Sequence, residues 1–444
     1  MRARRTRFLA DAEVLVGAAV VVGLVLRVMW VAYAARPPVG LYDPARYAGF
    51  AAEIAKGHGY VEPFTGKPTA YYPPGYPYFL GVIDAVLRHT PLSDDLALMA
   101  GYAQAVLGAA TCAAGAVVAR RLLSPAAGVV AAFGLALYPN LIFHTGVLLS
   151  ETLYGFLFLT ALAVLFWRPW SAGLSGRRLV AFSVLFAAAV LTRPISAAVL
   201  PFLFVAWWVE AGRPVPALRR LGVVVGVLVV VLVPWTVRNS LRMHSFVAVS
   251  TNTGDNLCIG HYPGASGAFA LSERCRVQHN VMSGSQAEVR HDHETTSLGL
   301  RYLWGHLGRE PWLVTQRVRY MFESDHDAVV AVQSFGSDRW MPPDTEARLS
   351  RIADDYYAPV AVLGAVGLVL LACTRRPERL LFVGSAVATV AVPLAFFGDS
   401  RFKVPVMPLL TVSAAVLVCG APTLWREARR RRNPPNPATP PNLS

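Results

Sequence analysis

The chain has 444 residues, of which 55% are hydrophobic and only 15% charged. A soluble domain carries roughly 25% charged residues, so a water-soluble globule does not account for this composition. The formal net charge of +14 does not point to nucleic acid, because Lys and Arg sit at the ends of apolar runs rather than among aromatics on a polar face.

The apolar residues come in blocks, and ten read as membrane crossings: roughly 13–34, 98–119, 124–144, 150–167, 179–194, 195–210, 221–237, 356–373, 380–397 and 404–424. Helices are required, because hydrocarbon leaves the edge groups of an open sheet unpaired. The first block follows Arg2, Arg4, Arg5 and Arg7. It is too long for a cleaved signal segment and reads as a retained span. Later basic clusters at Arg120-Arg121, 168–178, 213–220, 375–379 and 426–432 mark the cytoplasmic connections. An even number of crossings must separate each neighbouring pair. That parity makes 76–88, which is short and holds Asp84, a horizontal or re-entrant helix. It also splits 179–210 into two spans turning at Thr192-Arg193-Pro194, where Pro194 disfavours helix at Arg193.

The expected architecture is therefore an all-α polytopic membrane protein in the plasma membrane, with both termini cytoplasmic. Residues 1–425 form one membrane domain, and 426–444 a basic, Pro-rich disordered tail. Two long loops, 35–97 and 238–355, fall outside the cytoplasm; the second is expected to be of mixed structure. Arg27 is the chief charge inside a span.

In the first loop, Tyr47, Phe50, Ala51 and Ile54 share one helical face. Asp43 is placed to cap that helix with Pro44 at its first position, and Gly57 and Gly59 end it. Tyr71, Tyr72 and Tyr76 with their prolines read as an aromatic belt. In the second loop, 251–270 is rich in turn formers and either lines an acceptor groove or links elements. Cys258 and Cys275 lie in that loop and pair if it faces an oxidising compartment; the sequence leaves this open. His291-Asp292-His293-Glu294 reads as part of a polar helix, without the distal partner of a metal motif.

Several runs carry a resemblance. They are Tyr42-Asp43-x-x-Arg46-Tyr47, Gly57-His58-Gly59-Tyr60 and Pro73-Pro74-Gly75-Tyr76-Pro77, then Leu149-Ser150-Glu151-Thr152-Leu153 and Leu191-Thr192-Arg193-Pro194. Further on come Pro234-Trp235-x-x-Arg238-Asn239, Gly254-x-Asn256-Leu257-x-Ile259-Gly260 and Arg401-Phe402-x-x-Pro405-x-x-Pro408. In order and placement they resemble integral-membrane glycosyltransferases of GT-C fold, more narrowly the protein O-mannosyltransferase-like group (family 39), which includes the lipid A aminoarabinose transferase.

The resemblance implies inverting transfer of a sugar from a polyprenyl-phosphate donor to a hydroxyl of an extracytoplasmic glycan, lipid or protein. Asp43 is then the general base. Arg46, Lys67, Arg193, Arg238 and Arg401 are candidates to hold the phosphate. Glu151 binds acceptor, holds a basic partner or shares a cation, and Tyr47 joins the substrate-binding set. No cofactor is called for, and no motif supports a divalent cation. Two departures count against a narrower reading: Pro44 stands where some protein mannosyltransferases have a second acid, and Gly66 where the aminoarabinose transferase has an acid before its lysine. A transporter or flippase of lipid-linked sugars would need charged mid-span sites, which are scarce here. A non-enzymatic assembly factor would leave the acids and bases at the span ends without a purpose.

Overall fold

The computed structural model describes residues 2–91, 95–270, 272–273, 275 and 284–432. Described residues contain no strand, and the mixed character expected of the second loop reduces to isolated bridges, Val61 with Pro68 and Ala268 with Gly398.

All ten apolar blocks are helical. The bundle is built from α1 (Arg2–Ala34), α4 (Leu96–Leu122), α5 (Pro125–Ala136), α7 (Glu151–Phe166), α8 (Gly176–Thr192), α9 (Leu200–Ala211), α10 (Pro214–Met243), α15 (Pro343–Cys373), α16 (Pro377–Leu394) and α17 (Met407–Arg432). Short 3₁₀ segments at Pro194–Val199 and Ser400–Val406 lead into α9 and α17. Among described residues, seven helical stretches are long and apolar enough to cross a membrane. An eighth is a bent pair, in which α5 and the short α6 (Pro139–Phe143) with its following turn meet at 58°. The remaining two blocks, α7 and α8, have 16 and 17 residues and fall short of a full span. Thr192-Arg193-Pro194 does break the chain: α8 ends at Thr192, and Arg193 is extended at φ −144°, ψ 106°.

Small residues let these helices approach closely. α4 sits centrally, packed on α1, α5 and α7, with Ala105, Gly108, Ala109 and Cys112 buried. Gly108 makes room for Arg27, whose Nε would lie 2.4 Å from a Cβ at that position. Arg27 Nη1 donates to the carbonyls of Gly23 (2.9 Å) and Ala136 (3.4 Å), and Nη2 to that of Leu135 (3.0 Å). The break after α5 leaves its last carbonyls without helical partners. A guanidinium inside the bundle satisfies them, which explains the one conspicuous charge within a span.

The two long loops pack on each other at one end of the bundle, called here the loop end. The first supplies α2 (Asp43–Ala55) and α3 (Gly75–Leu87), the short helix expected not to span. The second supplies α11 (Thr253–Gly260), α12 (Ser285–Gly305), α13 (Glu310–Phe322) and α14 (Asp327–Ala331). Cys258 and Cys275 form a disulfide with Cα atoms 5.8 Å apart.

Two expectations are corrected. Asp43 does not cap α2: the N-cap is Tyr42, without a side-chain hydrogen bond, and the Asp43 carboxylate is engaged elsewhere. Nor does a disordered tail begin at 426, because α17 runs to Arg432. Glu427 pairs with Arg376 at 2.8 Å and Arg379 at 2.6 Å, which docks that turn against α16. Residues 433–444 lie outside the described residues.

Candidate active site

The site begins where two sequence runs meet. A Cβ on Gly75 would lie 2.5 Å from Thr192 Oγ1, so the Pro-Pro-Gly segment can seat against the break after α8 only with glycine there. This contact sets the first loop over Arg193. Gly57 and Gly59, at φ 83° and 79°, turn the chain after α2 in a conformation that favours glycine. The buried face of α2 then packs on the aromatics that follow. Tyr47 meets Tyr72 with ring centres 5.1 Å apart and Tyr76 at 5.0 Å.

At the base of this arrangement the charges converge. Arg401 stands in the 3₁₀ turn before α17, where Asp399 Oδ1 accepts its backbone N–H at 2.8 Å. Its Nη1 donates to Asp43 Oδ2 at 2.6 Å, and its Nε donates to Glu151 Oε1. Arg193 Nη1 lies 3.0 Å from the same Glu151 oxygen. Tyr72 donates its hydroxyl to Asp43 Oδ1 at 2.8 Å. Glu151, at the first turn of α7, has no side-chain exposure, whereas Asp43 keeps 33%. The buried acid anchors two arginines, and the accessible acid is the one a solute can reach. Burial, and then the Asp43 carboxylate, push the Tyr47 phenol well above its usual range, so it remains protonated beside the site.

Of the eight residues singled out in the sequence, Asp43, Tyr47, Glu151, Arg193 and Arg401 come together. Three do not. Arg46 turns away to Glu62 at 3.7 Å and to the Leu41 carbonyl. Arg238 lies over the rings of Tyr60 and Trp235, 5.4 and 5.0 Å from their centres. It donates to the carbonyls of Thr69 (2.6 Å) and Tyr60, so it fastens the first loop to the end of α10. Lys67 is exposed, its stem passing beside Gly284.

Sequence reasoning missed the hydroxyl of Tyr72, grouped with an aromatic belt although it contacts the accessible acid. It also missed a second buried cluster under the site. His144 Nε2 lies 2.9 Å from Asp327 Oδ2, and Asn140 donates to Asp327 Oδ1 at 2.8 Å. Lys403 Nζ lies 3.0 Å from Asp325, and neither side chain has any exposure. Burial opposes ionisation of Asp327, but His144, Lys403 and Asn140 outweigh it and hold the carboxyl below its usual range. Burial pushes Asp325 up to about 6, against the pull of Lys403. A lone His in an apolar run and two acids in a distant loop offer no shared signal. Among described residues, no group of three His, Cys, Asp or Glu side chains forms a metal ligand set, and both site carboxylates are engaged by guanidinium groups.

No protein-family model matches the sequence, and no characterised protein matches it by sequence. Solved structures do. The apo oligosaccharyltransferase of Archaeoglobus fulgidus aligns with TM-score 0.53 at 15% identity, over 96% of this chain and 52% of that one. Archaeal oligosaccharyltransferase AglB from the same organism, in complex with an inhibitory peptide and a dolichol-phosphate, gives 0.52 at 14% over 98% and 52%. ArnT from Cupriavidus metallidurans, bound to undecaprenyl phosphate, gives 0.40 at 17% over 95% and 78%. The chain thus spans about half the length of the oligosaccharyltransferases it matches. The likeness to them establishes the fold: this is a multi-pass membrane protein of GT-C-like architecture.

Proposed function

We propose that the chain is an inverting glycosyltransferase that moves a sugar from a polyprenyl-phosphate donor to a hydroxyl of an extracytoplasmic acceptor. The observation that carries the reading is the Asp43–Arg401–Glu151–Arg193 cluster, with one accessible carboxylate beside two arginines held by a buried one. The architecture shared with a protein solved with dolichol-phosphate supports it, as do the sequence runs that resemble family 39.

The chemistry follows from the residue types. The acceptor oxygen attacks the anomeric carbon while the bond to the donor phosphate breaks. Asp43 takes the hydroxyl proton, a step worth roughly 10²–10⁴ in rate for a positioned base. The bonding electrons leave with the lipid phosphate, whose added charge needs fixed donors. Arg401 and Arg193 supply them, and Glu151 keeps both side chains oriented. Because Arg401 also holds Asp43, it links the base to the leaving-group end of the reaction.

The test uses the protein in lipid nanodiscs with a panel of radiolabelled polyprenyl-phosphate sugars and a membrane extract as acceptor source. Label passing from lipid to acceptor in the unmodified chain, and not in Asp43→Asn, is the expected result and names the donor. No binding and no turnover of any donor would contradict the reading.

A further inference from the structure

Beside Glu151 lies a small cavity lined by α1, α4, the α5–α6 bend, α7 and the start of α17. Its wall includes Arg27, Thr111, His144, Glu151, Thr152 and Gly155, and about 30 Å³ is open to the centres of water molecules. Three polar atoms of that wall have no hydrogen-bond partner among the described residues: Arg27 Nε, His144 Nδ1 and Thr152 Oγ1. Arg27 and His144 are only 2% and 1% exposed. A buried polar group left unpaired keeps the full penalty of losing its water, and more so if it is charged. Three such atoms around one cavity point to something that binds them together.

The donor and acceptor pattern selects its chemistry. Arg27 Nε–H can only donate. The Nε2 of His144 faces the Asp327 carboxylate, which only accepts, so Nδ1 is the ring nitrogen left to the cavity. The Thr152 hydroxyl does either. Glu151 in the same wall opposes an anion, and Arg27 opposes a cation. The occupant must be small, neutral and able both to donate and to accept. The cavity has room for the centre of a water molecule, and water with several polar partners is the usual occupant of such a site.

We infer that this cavity is an internal hydration site, in which bound water bridges Arg27 Nε, Thr152 Oγ1 and His144 Nδ1 and reaches the Glu151 carboxylate. The water completes the satisfaction of Arg27, which caps the broken helix, and joins His144 and Asp327 to the anchor of Arg401. The inference rests on packing and hydrogen bonding alone and does not depend on the sugar-transfer reading.

The test is pulsed hydroxyl-radical footprinting of the full chain in nanodiscs, read by mass spectrometry, since radicals form at bound water. Leu135 lines the cavity and Leu162 does not, and both are 1% exposed. His144 lines it, whereas His261 is 2% exposed elsewhere. Leu135 and His144 should oxidise severalfold faster than Leu162 and His261. A side chain added at Gly155 meets open space, so Gly155→Val should fill the cavity and lower both to the rates of their controls. If that variant does not fold, Thr152→Val, which keeps the shape and removes the hydroxyl, should slow labelling of His144. Equal rates for lining and control residues in the unmodified chain would overturn the inference. So would fast labelling that these substitutions leave unchanged.

Discussion

Both ends of the bundle carry ion-pair networks, and they differ in what the charges satisfy. At the end opposite the loops, Arg379 donates to the Leu122 carbonyl from Nε (3.1 Å) and Nη2 (2.9 Å) and pairs with Glu427. Leu122 is the last residue of α4, so its carbonyl lacks a helical partner. Glu378 accepts from Arg121 at 3.1 Å and from the backbone N–H of Trp170 at 3.2 Å. These charges tie down helix ends. At the loop end, Asp43 caps nothing, keeps an accessible edge and shares its arginine with a second acid. A charge that closes off a helix end is explained by the fold. The Asp43 carboxylate stands at the first residue of α2 yet caps no backbone group and keeps an accessible edge, which leaves it open to the general base role proposed above.

Substitutions at the two ends should therefore separate activity from stability. Asp43→Asn should lower transfer at least roughly 10²-fold, the lower bound for losing a general base, with the melting temperature little changed. Arg401→Gln should reduce both, because it leaves Glu151 buried with Arg193 alone; breaking a buried pair costs about 3–5 kcal/mol, and a fall in melting temperature should accompany the lost transfer. Arg379→Ala should cost about 1–3 kcal/mol, the penalty of leaving buried partners unpaired, while turnover per folded molecule stays unchanged. Loss of turnover in folded Arg379→Ala would erase the contrast between the ends.

A pH experiment sharpens it further. Burial raises Asp325 from an ordinary value near 3.8 to about 6, so its charged form is disfavoured in the fold. The unfavourable contribution is absent below the unfolded value and complete above the folded one. Stability relative to Asp325→Asn should fall as pH rises from about 4 to 6, as followed by thermal unfolding at each pH. A flat difference would show that Lys403 already neutralises the penalty. The smallest effect is expected at exposed Lys67, where Lys67→Ala should leave stability unchanged within about 0.5 kcal/mol.

Much of this arrangement was legible in the sequence. The apolar blocks, the break at Arg193 and the amphipathic face of α2 follow from periodicity and from proline, which act locally. Asp43, Glu151, Arg193 and Arg401 were singled out through the runs that resemble family 39, not through any local pattern of their own. Arg46 and Arg238 sit in equally suggestive places. Only the packed structure shows that one turns to Glu62 and the other lies on Tyr60 and Trp235. The pairing of His144 with Asp327 joins residues 183 positions apart, a separation that no local pattern reports. The Asp43 cap failed for a related reason: the tertiary pull of Arg401 outweighs a local hydrogen bond.

The central claim is that Asp43 acts in the chemical step. It is tested most directly by loading unmodified and Asp43→Asn protein with the same polyprenyl-phosphate sugar and following one round of transfer after acceptor is added. The account predicts that donor remains bound in Asp43→Asn and that label stays on the lipid. Transfer from Asp43→Asn at the unmodified rate would contradict it and move the base elsewhere in the site.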